Sequence, residues 1–156
     1  MELESVTGGN PVVLLHGWPG LPSDYRALTP LLPGARVLIP TLAGFGTGYT
    51  RPIDTADATA DSYARRLLSE LDAHGVTSGV TIVGYDIGSR IAQSALRADP
   101  GRFIGAVLTP GYPGIGERAG AAEYAERFWY QHFHRTPLAA EFIDGDENNV
   151  ASYLDW

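Results

Sequence analysis

A chain of 156 residues with 44% hydrophobic and 19% charged side chains can bury a core, which excludes disorder; its apolar runs are short and separated by 19 glycines and 11 prolines, the spacing of tight turns. The lack of cysteine excludes disulfides, thiolate metal sites and a cysteine nucleophile, and a net charge of −7 with no basic stripe argues against nucleic acid or an anionic membrane as partner. Residues 1–10 have no signal-peptide pattern and no apolar run approaches the ~20 residues that cross a bilayer, so a soluble cytoplasmic protein is expected.

In chain order, a first strand is predicted at residues 12–15, followed by the turn His16-Gly17-Trp18-Pro19-Gly20. A helix is expected over residues 24–32, a second strand over 37–39, and then a loop containing Ala43-Gly44-Phe45-Gly46. Ala60, Tyr63, Ala64, Leu67, Leu68 and Leu71 recur at helical spacing opposite Asp61, Arg65, Arg66 and Asp72, predicting an amphipathic helix with Asp57 as N-cap and Gly75 as its stop. A third strand at 80–83 runs into Gly84-Tyr85-Asp86-Ile87-Gly88 and a helix over 87–98, and a fourth strand is predicted at 103–108. The strands are apolar without alternation, as strands covered on both faces are, and they alternate with helices. The expected class is therefore α/β, a mostly parallel sheet flanked by helices and joined by right-handed crossovers. Beyond Pro113 the pattern changes: 114–120 reads as a loop, 121–135 as a helix crowded with Phe128, Trp129, Tyr130 and Phe133, and 149–155 as another helix. Two domains follow, a sheet domain over 1–113 and the beginning of a helical one over 114–156.

The segment richest in chemistry is Gly84-x-Asp86-x-Gly88 at a strand-to-helix junction. Glycines on both sides of one reactive residue allow a turn sharp enough to leave that side chain projecting above the sheet. A carboxylate there, with an unperturbed pKa of about 3.9, is ionised at neutral pH and attacks without a base. It suits displacement at a saturated carbon, giving an alkyl-enzyme ester. The competing reading is that Asp86 only caps the helix that follows. His16-Gly17-Trp18-Pro19 also follows a strand, and in a parallel sheet both turns lie at the rim where ligands gather. From there the backbone N–H groups of Trp18 and Ile87 can face a developing oxyanion; the alternative is a plain tight turn with its indole packed on the core.

These residues resemble the α/β-hydrolase superfamily, and within it the epoxide hydrolases that use aspartate as nucleophile. The resemblance rests on His16-Gly17-Trp18-Pro19, Ala43-Gly44-Phe45-Gly46, Gly84-Tyr85-Asp86-Ile87-Gly88 and the start of a helical cap, and it covers most of the chain. It implies a partial α/β-hydrolase fold and Asp86 as nucleophile. It further implies an oxyanion hole from the N–H groups of Trp18 and Ile87, supported by His16, Gly17, Pro19, Gly84 and Gly88, and a cis bond between Trp18 and Pro19. Within Phe128-Trp129-Tyr130-Gln131-His132-Phe133-His134 it implies Tyr130 as the cap tyrosine that protonates the opening epoxide. Tyr153 is a second cap tyrosine without a matched position. Dehalogenases of the same superfamily attack in the same way, but in haloalkane dehalogenases a tryptophan commonly follows the nucleophile, where this chain has Ile87.

The implied cycle also needs a histidine with an acidic partner to activate water. His16 lies under the oxyanion turn, His74 reads as a helix C-terminal residue, and His132 and His134 belong to the cap; two apart on a helix, the last pair is not a metal site. The glycines around Phe45 lack the spacing of a nucleotide loop, so no cofactor is expected. The reading is an N-terminal half whose chemistry stops at the ester, acting on a small apolar epoxide. The alternatives are a split enzyme completed by a C-terminal half, or a non-catalytic ligand-binding remnant. A four-stranded sheet with an uncovered side also predicts self-association.

Overall fold

A computed structural model of the chain describes residues 9–46, 53–54, 56–109, 122–143 and 146–155. The four apolar runs form β1 (Pro11–Leu15), β2 (Arg36–Leu38), β3 (Val80–Gly84) and β4 (Phe103–Leu108). They pair in the order β2-β1-β3-β4, all parallel. Right-handed crossovers fix which face each connection covers. The chain moves one way from β1 to β2 and the other way from β2 through β3 to β4, so the first connection lies on one face and the next two on the other. On that second face, α1 (Ala60–Ala73) and α2 (Ile87–Ala98) pack Leu67, Leu71, Ile91 and Ala95 onto Val13, Leu15 and Ile82. On the first face, Tyr25, Leu28 and Leu32 cover Leu14, Val37 and Ile39.

The first connection corrects the helix expected over 24–32. It is two 3-10 turns, Pro22–Tyr25 and Thr29–Leu31. Pro30 lies inside the expected helix, where it lacks the N–H for a helical bond and its ring clashes with the carbonyl four residues back. The N-cap of α1 is Thr59, whose hydroxyl accepts from Ser62 N–H at 3.2 Å, and not Asp57, which pairs with Arg66 at 3.2 Å. Gly75 does end α1: at φ 69° its N–H donates to the Asp72 carbonyl while Val76 N–H reaches that of Leu71, closing the last turn. Arg102, buried before β4, donates to Asp72, Asp99 and the carbonyls of Leu68 and Val76, tying the end of α1 to the start of the last strand.

The outer strands differ. In β2, Val37 and Leu38 are fully buried, whereas in β4 Ile104 is 63%, Val107 53% and Leu108 41% exposed.

The chain divides into two compact units, Met1–Tyr112, which holds the sheet, and Pro113–Trp156. The second contains α3 (Ala122–Arg127), α4 (Trp129–Phe133), α5 (Pro137–Ile143) and α6 (Glu147–Asp155). The single helix expected over 121–135 is broken at Phe128, where φ −114° and ψ 30° leave the helical region. Helix α5 was not anticipated; Thr136 caps it by accepting from Ala139 N–H at 3.2 Å, with Pro137 in the first helical position, where a missing N–H costs nothing. The loop expected at 114–120 lies outside the described residues. Among the described residues no helix is long and apolar enough to cross a membrane.

Candidate active site

Leu15 pairs with Gly84 in the β1–β3 register, so the turns that leave these two strands start side by side at the carboxyl end of the sheet. Between Gly84, the last residue of β3, and Ile87, the first of α2, the chain has only Tyr85 and Asp86 in which to reverse. Asp86 takes φ 53° and ψ −123°, and among the described residues it is the one non-glycine at positive φ. Such a conformation costs about 1–3 kcal/mol and persists only where the surroundings enforce it. Here they are backbone: a Cβ on Gly84 would run into the Gly88 carbonyl, and a Cβ on Gly88 into the carbonyls of Leu15 and His16. Two bare glycines let strand and helix approach closely enough to hold the strained residue between them.

The Asp86 side chain makes no capping bond to its own helix. Its Oδ1 instead accepts the Trp18 N–H at 3.0 Å, across 68 residues of sequence. Gly17 makes room for this, since a Cβ there would lie 2.6 Å from Asp86 Cβ and 2.9 Å from Tyr85 Cζ. The Trp18–Pro19 bond is cis. Ile87 opens α2, so its N–H has no acceptor within the helix ladder.

His16 is fully buried beneath this turn. Its Nε2 accepts Leu42 N–H at 3.2 Å, which places the proton on Nδ1, 3.0 Å from the Gly17 carbonyl that receives it. Burial lowers its pKa below the ordinary histidine value, partly offset by the Gly17 bond and the charge of Asp24. A neutral imidazole with both nitrogens engaged is a pin between the β1 turn and the loop after β2, not a base. Phe45 closes edge-on against its ring at 5.1 Å.

Two residues that the sequence did not single out complete the support. Tyr25 donates its hydroxyl to the Leu15 carbonyl at 2.8 Å, and burial, with the charges of Tyr85 and Asp24, pushes its pKa up to about 12. The same carbonyl accepts Tyr85 N–H at 3.3 Å. Asp24 Oδ2 accepts Leu21 N–H at 3.2 Å, bonding back across three residues; with Leu at position 21 instead of Ser or Thr, the sequence carries no capping-box signal for it.

In the helical unit, Tyr130 lies on α4 with its ring 6.0 Å from Phe128 and 5.9 Å from His134. Tyr153 on α6 bonds through its hydroxyl to His134 Nε2 at 2.8 Å, and its ring meets Trp129 edge-on at 5.9 Å and Phe133 at a tilt at 5.8 Å. A groove of about 440 Å³ lies away from the elbow, between residues Pro40, Thr41, Leu42 and Ala43 and the face of α1 carrying Tyr63, Arg66 and Glu70, and contains none of the residues around Asp86.

The sequence profile of the alpha/beta hydrolase family matches residues 12–156. The chain belongs to this family. A curated relative, the 2-succinyl-6-hydroxy-2,4-cyclohexadiene-1-carboxylate synthase of Escherichia coli O1:K1 / APEC, is 27% identical over 146 residues, covering 92% of this chain and 56% of its own length. Among solved structures, the epoxide hydrolase CorEH superposes with a TM-score of 0.75 at 24% identity, over 90% of this chain and 50% of that one. A haloalkane dehalogenase variant, DbeA-M1, from Bradyrhizobium elkanii superposes at 0.70 with 23% identity, over 92% and 49%. At those identities the two structures share the fold. The chain spans about half the length of the curated relatives it matches.

Proposed function

We propose that this hydrolase chain carries the nucleophilic part of an epoxide-opening site, with Asp86 as the attacking group. The observation that supports this most is the Asp86 carboxylate held at positive φ with one oxygen on the Trp18 N–H and no bond to its own helix. With Oδ1 engaged, Oδ2 is the oxygen that bonds to an epoxide carbon. The carbon–oxygen bond of the ring breaks, the ring oxygen leaves as alkoxide and takes a proton from Tyr130, and Oδ1 becomes the ester carbonyl. When that ester is hydrolysed, negative charge develops on Oδ1, where the Trp18 N–H already sits and the Ile87 N–H is the second donor. Water activation requires a base that is not assigned in this chain, since His16 is neutral and engaged. The full cycle is proposed for a longer parent or a complex with a complementing half.

The substrate is proposed to be a small apolar epoxide. Intact-mass measurement after incubation with styrene oxide tests the assignment: one adduct per chain, mapped to Asp86 and lost in Asp86→Asn, is expected. An adduct indifferent to Asp86→Asn, or none, overturns it. Adduct formation with release of chloride from a chloroalkane, and none with the epoxide, would transfer the reading to a dehalogenase. Reversible ligand binding unaffected by Asp86→Asn would transfer it to a non-catalytic binding protein.

A further inference from the structure

The strap from Gly17 to Leu21 carries the Trp18 N–H, and two of its residues are glycines pressed by side chains from elsewhere. Over Gly17 lies the ring of Tyr85: a Cβ at Gly17 would be 2.9 Å from its Cζ and 3.1 Å from its Cε1. Against Gly20 lies the carboxylate of Asp24, whose Oδ2 a Cβ on Gly20 would strike. Asp24 is also bonded to the end of the strap twice, accepting Leu21 N–H at 3.2 Å through its side chain and donating its own N–H to the Leu21 carbonyl at 3.0 Å. A segment with two glycines and no helix or strand of its own has little intrinsic reason to keep one conformation. The conformation matters, because Trp18 N–H must stay on Asp86 Oδ1 at 3.0 Å.

We infer that Tyr85 and Asp24 are positioning residues that clamp the Gly17–Leu21 strap from its two ends and so hold the Trp18 N–H on the Asp86 carboxylate. Tyr85 acts through its ring, as a plate over Gly17 beside Asp86. Asp24 acts through an acceptor oxygen, fixing where the strap ends. The two are in mutual electrostatic reach: burial, then Asp24, then Asp86 raise the pKa of the Tyr85 phenol, keeping it neutral and able to lie beside two carboxylates. Asp24 also favours a charged His16, against the burial that keeps that ring neutral. The geometric claim stands on contacts alone; its kinetic consequence rests on the reading of Asp86 as the reacting carboxylate.

The test follows amide hydrogen exchange at Trp18 in the full chain together with the saturation kinetics of adduct formation by styrene oxide. In Asp24→Ala and Tyr85→Ala, Trp18 exchange is expected to accelerate about tenfold or more, and the limiting rate of adduct formation to fall by a similar factor with the half-saturating concentration little changed, because orientation and not affinity is lost. Asp24→Asn keeps an acceptor and Tyr85→Phe keeps the plate, so both should stay within about threefold of the parent. Gly20→Ala perturbs the same strap without replacing either residue, by pushing a methyl group against the Asp24 carboxylate; it should loosen Trp18 in the parent and do so much less in an Asp24→Ala background, where the clash is gone. Unchanged Trp18 exchange in folded Asp24→Ala and Tyr85→Ala chains overturns the clamp, as do conservative variants that lose as much as the alanines. If the parent forms no adduct, the nucleophile assignment fails while the exchange measurement still decides the clamp.

Discussion

The sheet unit and the helical unit keep their apolar residues in different ways. Around the sheet, Val13, Leu14, Leu15, Leu71, Ile82 and Ile91 are at most 2% exposed, and helices or 3-10 turns lie on both faces. In the helical unit, the described residues bury only Ala139, and what joins the helices is ring against ring: Trp129, Phe133 and Tyr153 meet at 5.7–5.9 Å, each only partly buried. The first arrangement excludes water and fixes one packing. The second gives specific geometry with little burial, worth about 0.5–1.5 kcal/mol per ring pair beyond area. Under the function proposed above, the attacking carboxylate sits in the first environment and the proton-donating tyrosine in the second.

The contrast can be broken or sharpened by substitution. The largest effect is expected at Gly88, where a methyl group would meet two backbone carbonyls that cannot retreat: Gly88→Ala should cost about 3 kcal/mol or more in chemical denaturation, and a loss under 1 kcal/mol would show that the elbow yields. Ile91→Ala, in the same unit, should cost about 3 kcal/mol, as a cavity in a packed core does. Asp86→Gly is expected to go the other way, raising stability by about 1 kcal/mol through relief of the positive-φ strain while removing all adduct formation. In the helical unit, Tyr153→Phe removes one exposed hydrogen bond and should cost less than about 1 kcal/mol; a cost comparable to Ile91→Ala would erase the distinction between the units.

The smallest effect is that of pH. Burial lowers the pKa of both His16 and His134 in the folded chain, so the unfolded chain binds more protons just below the ordinary histidine value of about 6.5. Their contribution is present above pH 6.5 and is lost as pH falls through the folded values. His16→Gln should flatten that slope in acid titration of stability, and His134→Gln, at an exposed position, should flatten it less.

Much of the sheet unit was legible because its signals are local and redundant. Continuous apolar runs located all four strands, and the spacing of Ile87, Ile91, Ala92 and Ala95 located α2. The glycines at 84 and 88 announced the elbow because no side chain fits where they stand. What was misread turned on single residues: Pro30 stops the helix expected over 24–32, and Thr136-Pro137 starts one where aromatic content drew attention elsewhere. The clamp on the strap was illegible, because a carboxylate at 24 and a ring at 85 meet glycines at 20 and 17 only once the sheet register has brought the two turns together.

The Leu15 carbonyl receives the Tyr25 hydroxyl and the Tyr85 amide and has Gly88 pressed against it, so a single oxygen joins the end of β1, the elbow and the connection that covers the far face. For anyone redesigning the elbow, these three segments form one mechanical part: a substitution that shifts one of them by a few tenths of an ångström loads the other two, and libraries that vary one turn alone will sample mostly broken geometries.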